Sequence, residues 1–262
     1  MIRPGSEESD GNGIAGSVYT PRMLRKLRFR KKPDSISPTK PILFVHGAFG
    51  GGWDYRPIQR SLEAAGREAY RVTLTGLGER SHLMRPEIDL DTHIMDVLNM
   101  MKFEELSDVI LVGHSYSGMV ISGVAHRAPE LIAHLVYVDS NLPEDGETMM
   151  SLWPEDERER VLRNAAEEGE GWKVIPWWTD PPRDVAQPLA SWTQTVSLGN
   201  PEAEKIPGTY VKALGDEEPR ESDEILRARV KARGYGYHEW KTTHNPQRSA
   251  LREYVDLLLS IE

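Results

Sequence analysis

Cysteine is absent from the 262 residues, which excludes disulfides, thiolate metal sites and a cysteine nucleophile. Basic residues are fewer than acidic ones, with 32 Lys and Arg against 41 Asp and Glu. The resulting net charge of -9 argues against nucleic acid as a partner. No apolar run is long enough to span a bilayer, and the N-terminus lacks the apolar core of a signal peptide. We therefore expect a cytoplasmic protein with no membrane partner.

The first 40 residues differ in composition from the rest of the chain. Residues 1–16 are rich in glycine, serine and acidic side chains, which is typical of a disordered tail. A basic run over residues 22–32 is either a docking strip for an acidic surface or a solvated tail or edge strand, and we favour the second interpretation. We predict a partly disordered N-terminal tail over residues 1–40.

From residue 41 onwards, short apolar runs alternate with amphipathic stretches. Helical spacing is clear over residues 91–102, where four apolar side chains fall on one face. The alternation predicts an α/β fold with a mostly parallel central sheet and helices on both faces. The predicted strands span residues 42–45, 68–74, 109–112, 134–138, 209–214 and 236–241.

This alternation stops between about residues 143 and 207. The stretch is polar and proline-rich, is helical only in places such as 155–168, and carries five of the seven tryptophans. We interpret it as a partly helical lid inserted into one core domain over residues 41–262. Its tryptophans either contact an apolar or aromatic substrate or pack within the lid. The candidate substrate-binding residues are Trp153, Trp177, Trp178 and Trp192.

The sharpest local motif is Val-Gly-His-Ser-Tyr-Ser-Gly at residues 112–118. It resembles the G-x-S-x-G pattern of a nucleophile elbow through Gly113 and Ser115, with Ser117 at the position of the second glycine and Gly118 directly after it. A nucleophile on a strained turn between a strand and a helix needs glycine beside it, because side chains there would clash with the neighbouring elements. Since the motif follows an apolar strand and opens a helix, we predict that Ser115 is a catalytic nucleophile.

A serine hydroxyl needs a general base, which an acid in turn orients. The chain has eight histidines, and only His238 and His244 lie late enough to follow an acid at the end of a strand. His238 falls inside the predicted strand at 236–241, where a packed strand residue is expected. His244 lies in the loop after that strand, so we favour His244 as the base.

Three carboxylates are candidates for the acid. Asp216 follows the predicted strand at 209–214 with only Gly215 between them, and Asp139 follows the strand that ends at residue 138. Glu217 is a weaker third candidate. We favour Asp216 and leave Asp139 open as its rival.

A glycine-rich loop over residues 46–53 follows the first core strand and is placed to form an oxyanion hole. The candidate donors are the backbone N–H groups of Ala48 and Tyr116. His46 precedes Gly47 and His114 follows Gly113 in these motifs, and we expect structural roles for both.

Taken together, these motifs resemble the α/β-hydrolase superfamily. More narrowly, the chain is similar to the small-esterase branch that includes plant methylesterases, hydroxynitrile lyases and bacterial pyrethroid-type carboxylesterases. The resemblance covers about residues 41–260 and rests on residues 46–53, 73–82, 112–118, 136–139 and 143–146. It implies the α/β-hydrolase fold, no cofactor, a lid that supplies much of the substrate pocket, and an acid after the strand at 209–214, which is Asp216.

The sequence departs from this branch at several positions. Thr243 stands where glycine usually precedes the catalytic histidine, and Ser117 stands where glycine is often found in the elbow. Hydroxynitrile lyases of the branch carry threonine at the position of Gly47 and lysine at the position of Asn245. Both are absent, so cyanohydrin cleavage is disfavoured, and a serine at position 115 disfavours epoxide hydrolases and dehalogenases.

The leading hypothesis is therefore a serine esterase that cleaves a carboxylic ester of a small apolar or aromatic substrate through an acyl-enzyme, without metal or cofactor. Two alternatives of other classes use the same fold: a cofactor-free dioxygenase or lyase, and a ligand-binding receptor. We expect a small-molecule ester as partner, and a homodimer stays open.

Overall fold

The structure is a computed structural model that describes residues 39–177, 183–215 and 221–261. The predicted tail over residues 1–40 therefore lies almost wholly outside the described residues. Trp178, Asp216 and Glu217 also lie outside them.

A six-stranded parallel sheet forms the centre of the molecule, in the order β2-β1-β3-β4-β7-β8. β1 and β3 are buried along their whole length, because helices cover both faces of the sheet. This arrangement confirms the predicted α/β fold. The strands of this sheet are β1 (Ile42–Val45), β2 (Ala69–Val72), β3 (Val109–His114), β4 (Ile132–Val138), β7 (Gly208–Ala213) and β8 (Gly236–Trp240).

The strands alternate their side chains between two helical layers. On one face, Phe44 and Val112 pack with Ile58 of α1 and with Tyr254 and Leu258 of α8. On the other face the elbow helix α3 packs against α2. The longer helices are α1 (Arg56–Ala64), α2 (Leu90–Phe103), α3 (Ser117–Arg127), α4 (Glu155–Glu167), α6 (Glu221–Ala232) and α8 (Leu251–Ser260). No helix among the described residues is both long and apolar enough to cross a membrane.

Neighbouring strands β4 and β7 are joined by a long connection that contains the lid segment, defined here as residues 143–207. α4 is the first regular element of this connection, and a small antiparallel pair of strands follows. Its remaining elements are β5 (Lys173–Val174), β6 (Gln187–Pro188), α5 (Ala190–Thr193) and a short 3-10 helix, Ala203–Lys205. The last helix before α8 is α7 (Pro246–Ser249), which follows β8.

Candidate active site

Ser115 lies in a tight turn between β3 and α3, and its φ of 54° places it in the left-handed region. A Cβ atom at Gly113 would lie 2.9 Å from Ile121 Cδ1, and one at Gly118 would lie 1.9 Å from the carbonyl oxygen of Asn141. Neither position can hold a larger residue without a shift of its surroundings. The turn therefore has the strained strand-to-helix geometry of a nucleophile elbow.

Ser117, which replaces a frequent glycine, is fully buried below this turn. Its hydroxyl donates to the Val45 carbonyl oxygen at 2.7 Å and accepts from the backbone N–H of His114 at 2.7 Å. The serine thus joins the elbow to β1, so the departure from glycine adds hydrogen bonds without exposing a polar group.

His244 lies in the loop between β8 and α7, with its ring between a carboxylate and the serine. Nδ1 is 2.7 Å from Asp139 Oδ2, and Nε2 is 3.0 Å from Ser115 Oγ. A carboxylate can only accept, so Nδ1–H donates to Asp139 and Nε2 is free to accept from the serine hydroxyl. This is the arrangement in which an imidazole takes a proton from a serine.

The carboxylate beside His244 among the described residues is Asp139, the rival that the sequence left open, and the favoured Asp216 lies outside the described residues. β4 is the direct neighbour of β3, so the first residue after β4 lies beside the elbow. Asp139 occupies that position, and its N–H bonds to the Val211 carbonyl oxygen at 2.7 Å. The rival histidine, His238, is exposed within edge strand β8.

The environment of Asp139 stabilises its ionised form. Burial by itself would raise the pKa, but the hydrogen bond and charge of His244, together with the charge of Lys212, outweigh burial and lower the pKa of the Asp139 carboxyl. Lys212 Nζ lies 3.2 Å from Asp139 Oδ1 and 2.8 Å from Asp223 Oδ1. The backbone N–H of Ala213 donates to the same Oδ1 at 3.3 Å. An ionised Asp139 holds the His244 ring in the tautomer that a general base needs.

His114 and His46 are buried and neutral, and each is hydrogen-bonded to backbone. Burial lowers the pKa of His114 to about 3, so the ring is neutral. Since a carbonyl oxygen can only accept, the His114 Nε2–H donates to the carbonyl oxygen of His244 at 2.6 Å. Burial likewise lowers the pKa of His46 to about 4. Its Nε2 accepts from Leu74 N–H at 3.1 Å, and its Nδ1–H donates to the Gly47 carbonyl oxygen at 2.8 Å. The two rings fix the loops that carry His244 and Ala48.

The loop that follows β1 passes directly over the elbow. A Cβ atom at Gly47 would lie 2.8 Å from His114 Nδ1 and 3.2 Å from Ser115 Cβ, so only glycine permits this approach. Among the described residues, the backbone N–H groups of Ala48 and Tyr116 have no acceptor. Both predicted oxyanion donors therefore lie next to Ser115 with their N–H groups available.

A cavity of about 1120 Å³ opens above Ser115 and His244. Part of its wall is aromatic: the ring of Phe49 lies 5.8 Å from that of Trp177 and 5.6 Å from that of Trp192, and Trp153 lies 5.6 Å from Trp192. Three of the four predicted tryptophans therefore line the cavity, whereas Trp178 lies outside the described residues. Polar and charged side chains also line it, among them Glu157, Arg160, Lys212, Asp223 and Arg227.

Gln187 is a residue of the site that the sequence did not indicate. It is fully buried in β6, and its Oε1 accepts from the backbone N–H of Phe49 at 3.1 Å. No local motif marks it, since its partner is 138 residues away in the chain. A buried glutamine within the lid segment could be found only from the three-dimensional contacts.

Several known proteins are similar to this chain. A carbendazim hydrolyzing esterase of Nocardioides sp. is 50% identical over 113 residues, which are 43% of this chain and 47% of that protein, so the match spans about half of its length. A pyrethroid hydrolase of Sphingobium wenxiniae is 28% identical over 200 residues, covering 67% of this chain and 70% of that protein. An extracellular alpha/beta-hydrolase from a Paenibacillus species is similar in fold, with a TM-score of 0.72 at 17% identity over 85% of this chain and 98% of that one.

These similarities agree with the motifs and with the sheet topology. They confirm the resemblance to an esterase branch, and relatives named esterases and hydrolases support the prediction of a carboxylic ester hydrolase. A family model described as "Alpha/beta hydrolase family" matches residues 42–257, which is most of the chain. The chain therefore belongs to the alpha/beta hydrolase family.

Proposed function

We propose that this protein is a serine esterase that hydrolyses carboxylic esters of small apolar or aromatic compounds through an acyl-enzyme. The observation that carries the proposal is the continuous hydrogen-bonded line from Asp139 through His244 to Ser115, with distances of 2.7 and 3.0 Å. Such a line converts a weakly nucleophilic hydroxyl into a nucleophile at neutral pH.

In the acylation step, Ser115 Oγ forms a bond to the ester carbonyl carbon while His244 Nε2 takes the hydroxyl proton. The carbonyl oxygen becomes an oxyanion, which the N–H groups of Ala48 and Tyr116 stabilise. When this intermediate collapses, the bond to the alcohol oxygen breaks and His244 returns its proton to the leaving alcohol. The product is an ester of Ser115 with the acid part of the substrate.

Deacylation repeats the same sequence with water as the nucleophile. His244 takes a proton from water, the hydroxyl oxygen adds to the acyl carbon, and the same backbone donors stabilise the oxyanion. His244 then returns this proton to Oγ as the bond between Oγ and the acyl carbon breaks, which releases the acid and restores the Ser115 hydroxyl. Asp139 stays ionised throughout and stabilises the imidazolium that forms in each half.

The aromatic wall supports the choice of substrate. Flat apolar groups pack well against faces and edges of aromatic rings, and Phe49, Trp177 and Trp192 present such rings beside Ser115. The relative named a carbendazim hydrolyzing esterase, 50% identical over the matched part, supports the hydrolysis of an ester. Because the chain has no cysteine and a net charge of -9, we place this activity in the cytoplasm and expect no nucleic-acid partner.

The test is hydrolysis of a series of p-nitrophenyl esters by the wild type and by Ser115→Ala, with parallel labelling by a serine-reactive fluorophosphonate. We expect turnover in the wild type, a loss on the order of 10⁴-fold or more in kcat for Ser115→Ala, and a label on Ser115 in peptide mass spectra. His244→Ala should lose activity comparably. His238→Ala is the matched control and should keep wild-type turnover, because His238 lies on the exposed edge strand.

A wild type that hydrolyses none of the esters and leaves Ser115 unlabelled would reject the esterase proposal. The cofactor-free oxygenase and the ligand receptor would then be tested by oxygen uptake and by ligand binding.

A further inference from the structure

Phe49 connects the loop of the predicted oxyanion hole to the lid segment. It directly follows Ala48 and has a φ of 63°, which is uncommon for an aromatic residue. Its backbone N–H donates to Gln187 Oε1 at 3.1 Å, and its carbonyl oxygen accepts from Val185 N–H at 3.0 Å. Two consecutive peptide groups of the loop are thus held by the lid segment, which offsets the strain of the left-handed conformation.

The side-chain amide of Gln187 is itself fixed. Gln187 is fully buried, and its Nε2 donates to Ser191 Oγ at 2.9 Å. Ser191 in turn donates to the Pro188 carbonyl oxygen at 2.7 Å, so the hydroxyl oxygen is left to accept from the amide. Oε1 is the end of the amide that can accept from an N–H group, so the Phe49 N–H by itself selects the orientation of the amide, and the bond from Nε2 to Ser191 agrees with it.

A buried acceptor at this position has a consequence for the neighbouring residue. Without it, the buried Phe49 N–H would lose the acceptor that it has in this structure, and the loop would be free to move. Ala48 would move with it, although an oxyanion donor is effective only within a few tenths of an ångström of its position. The rings of Trp177 and Trp192 pack on Phe49, so any displacement of the lid segment reaches the same loop.

We propose that Gln187 is a positioning residue that couples the lid segment to the oxyanion hole by holding the loop that presents the Ala48 N–H. The inference rests on the proposed esterase function. In a purely structural role, Gln187 would stabilise the lid segment without affecting the transition state. In the proposed positioning role, Gln187 stabilises the transition state through the Ala48 N–H.

The test compares Gln187→Met, which keeps the volume and removes the acceptor, with Ser191→Ala, which removes the next bond in the chain and leaves Oε1 in place. For each variant we would measure kcat, KM, the melting temperature, and the affinity for a trifluoromethyl ketone that adds to Ser115. The matching methyl ketone reports ground-state binding.

Gln187→Met should lower kcat about 10- to 100-fold and weaken binding of the trifluoromethyl ketone by a similar factor, with little change in KM or in methyl ketone binding. Ser191→Ala should lower the melting temperature and leave kcat within about twofold of the wild type.

A folded Gln187→Met enzyme with wild-type kcat would overturn the proposal, and so would equal losses for both ketones. Should Gln187→Met fail to fold, Gln187→Asn shortens the side chain by one methylene group, which withdraws the acceptor from the Phe49 N–H and keeps an amide in the buried position. A loss of kcat larger than any change in KM would then support the proposal, and an unchanged kcat would overturn it. A wild type without ester turnover and without label on Ser115 would reject the esterase function itself, and with it this inference. The two failures are therefore distinguishable.

Discussion

The elbow, which leads into α3, and the lid helix α4 both border the same cavity, but the two helices are packed differently. α3 is buried along residues 117–125, whereas α4 of the lid segment buries only Val161 and Ala165. Densely packed elements resist displacement, and elements with few buried apolar contacts open at a lower free energy. Ser115, the proposed nucleophile, therefore lies at the start of a densely packed helix, whereas the lid segment with its aromatic rings has fewer buried contacts and can adapt more easily.

This difference separates two kinds of effect. Changes in and beneath the elbow should affect folding and kcat, because they alter the geometry of the reacting groups. Changes in the lid segment should affect KM and selectivity, because they alter how the substrate is held. Gln187 is the exception that we propose, since it belongs to the lid segment and contacts the oxyanion loop.

The largest effect should come from the acid. We expect Asp139→Asn to lower kcat about 10⁴-fold, because an amide in that position favours the wrong tautomer of the His244 ring. Asp216→Asn is the matched control and should keep most of the activity, since Asp139 already bonds Nδ1 of His244. Steady-state kinetics on one p-nitrophenyl ester checks both.

A large loss in Asp216→Asn together with a small one in Asp139→Asn would contradict this assignment. The acid would then belong to the end of β7, as the family resemblance implied.

The contrast between these two aspartates shows where sequence reasoning reached its limit. The elbow was predictable because glycines, nucleophile, strand and helix all lie within a dozen residues and constrain one another locally. His244 was predictable because it lies in the only late loop with a histidine. The parallel strands and their boundaries followed from apolar runs, to within a few residues.

The carboxylate that lies beside His244 was not predictable in the same way, because both candidates closely follow a predicted strand in the sequence. The choice depends on which strand adjoins β3, and that is β4, a property of sheet order that no local pattern records. The contact between Gln187 and Phe49 escaped for a related reason, since it joins residues 138 positions apart. Both features depend on the tertiary structure and leave no local pattern in the sequence.

A destabilising change beneath the elbow should come next in size. Gly118→Ala would put a Cβ atom 1.9 Å from the carbonyl oxygen of Asn141, so we expect a loss of about 3 kcal/mol or more in the free energy of unfolding, and with it the activity. Gly199→Ala is the control, because no heavy atom lies within 4 Å of the added methyl group. Urea denaturation measures both. Comparable stability of the two variants would show that the elbow can relax around a methyl group.

The buried histidines predict a loss of stability in mild acid. With its pKa lowered from 6.5 to about 3, His114 stays neutral in the folded protein while the unfolded chain takes up a proton below pH 6.5. The contribution is complete above pH 6.5 and declines as the pH falls towards 3, by about 1.4 kcal/mol per pH unit. His46 and His93, whose pKa values burial also lowers, act in the same direction.

Urea denaturation at about pH 7 and about pH 5 tests this, and His114→Gln should reduce the difference between the two by about 2 kcal/mol. A variant that keeps the full wild-type difference would show that His114 is not responsible.

The smallest effect should appear in the lid segment, where Trp177→Leu removes part of the aromatic wall. Trp177 is 40% exposed and packs edge-on against Phe49, so its loss should leave the fold intact. We expect KM for an aryl ester to rise about 3- to 10-fold, with kcat within about twofold, because a ring contact of this kind contributes about 1 kcal/mol.

Trp172→Leu is the matched control, since Trp172 belongs to the same segment but does not line the cavity. The KM of this variant should stay at the wild-type value. If Trp177→Leu instead lowered kcat at constant KM, the wall would act on the transition state, and the division between a rigid catalytic part and an adaptable binding part would fail at this residue.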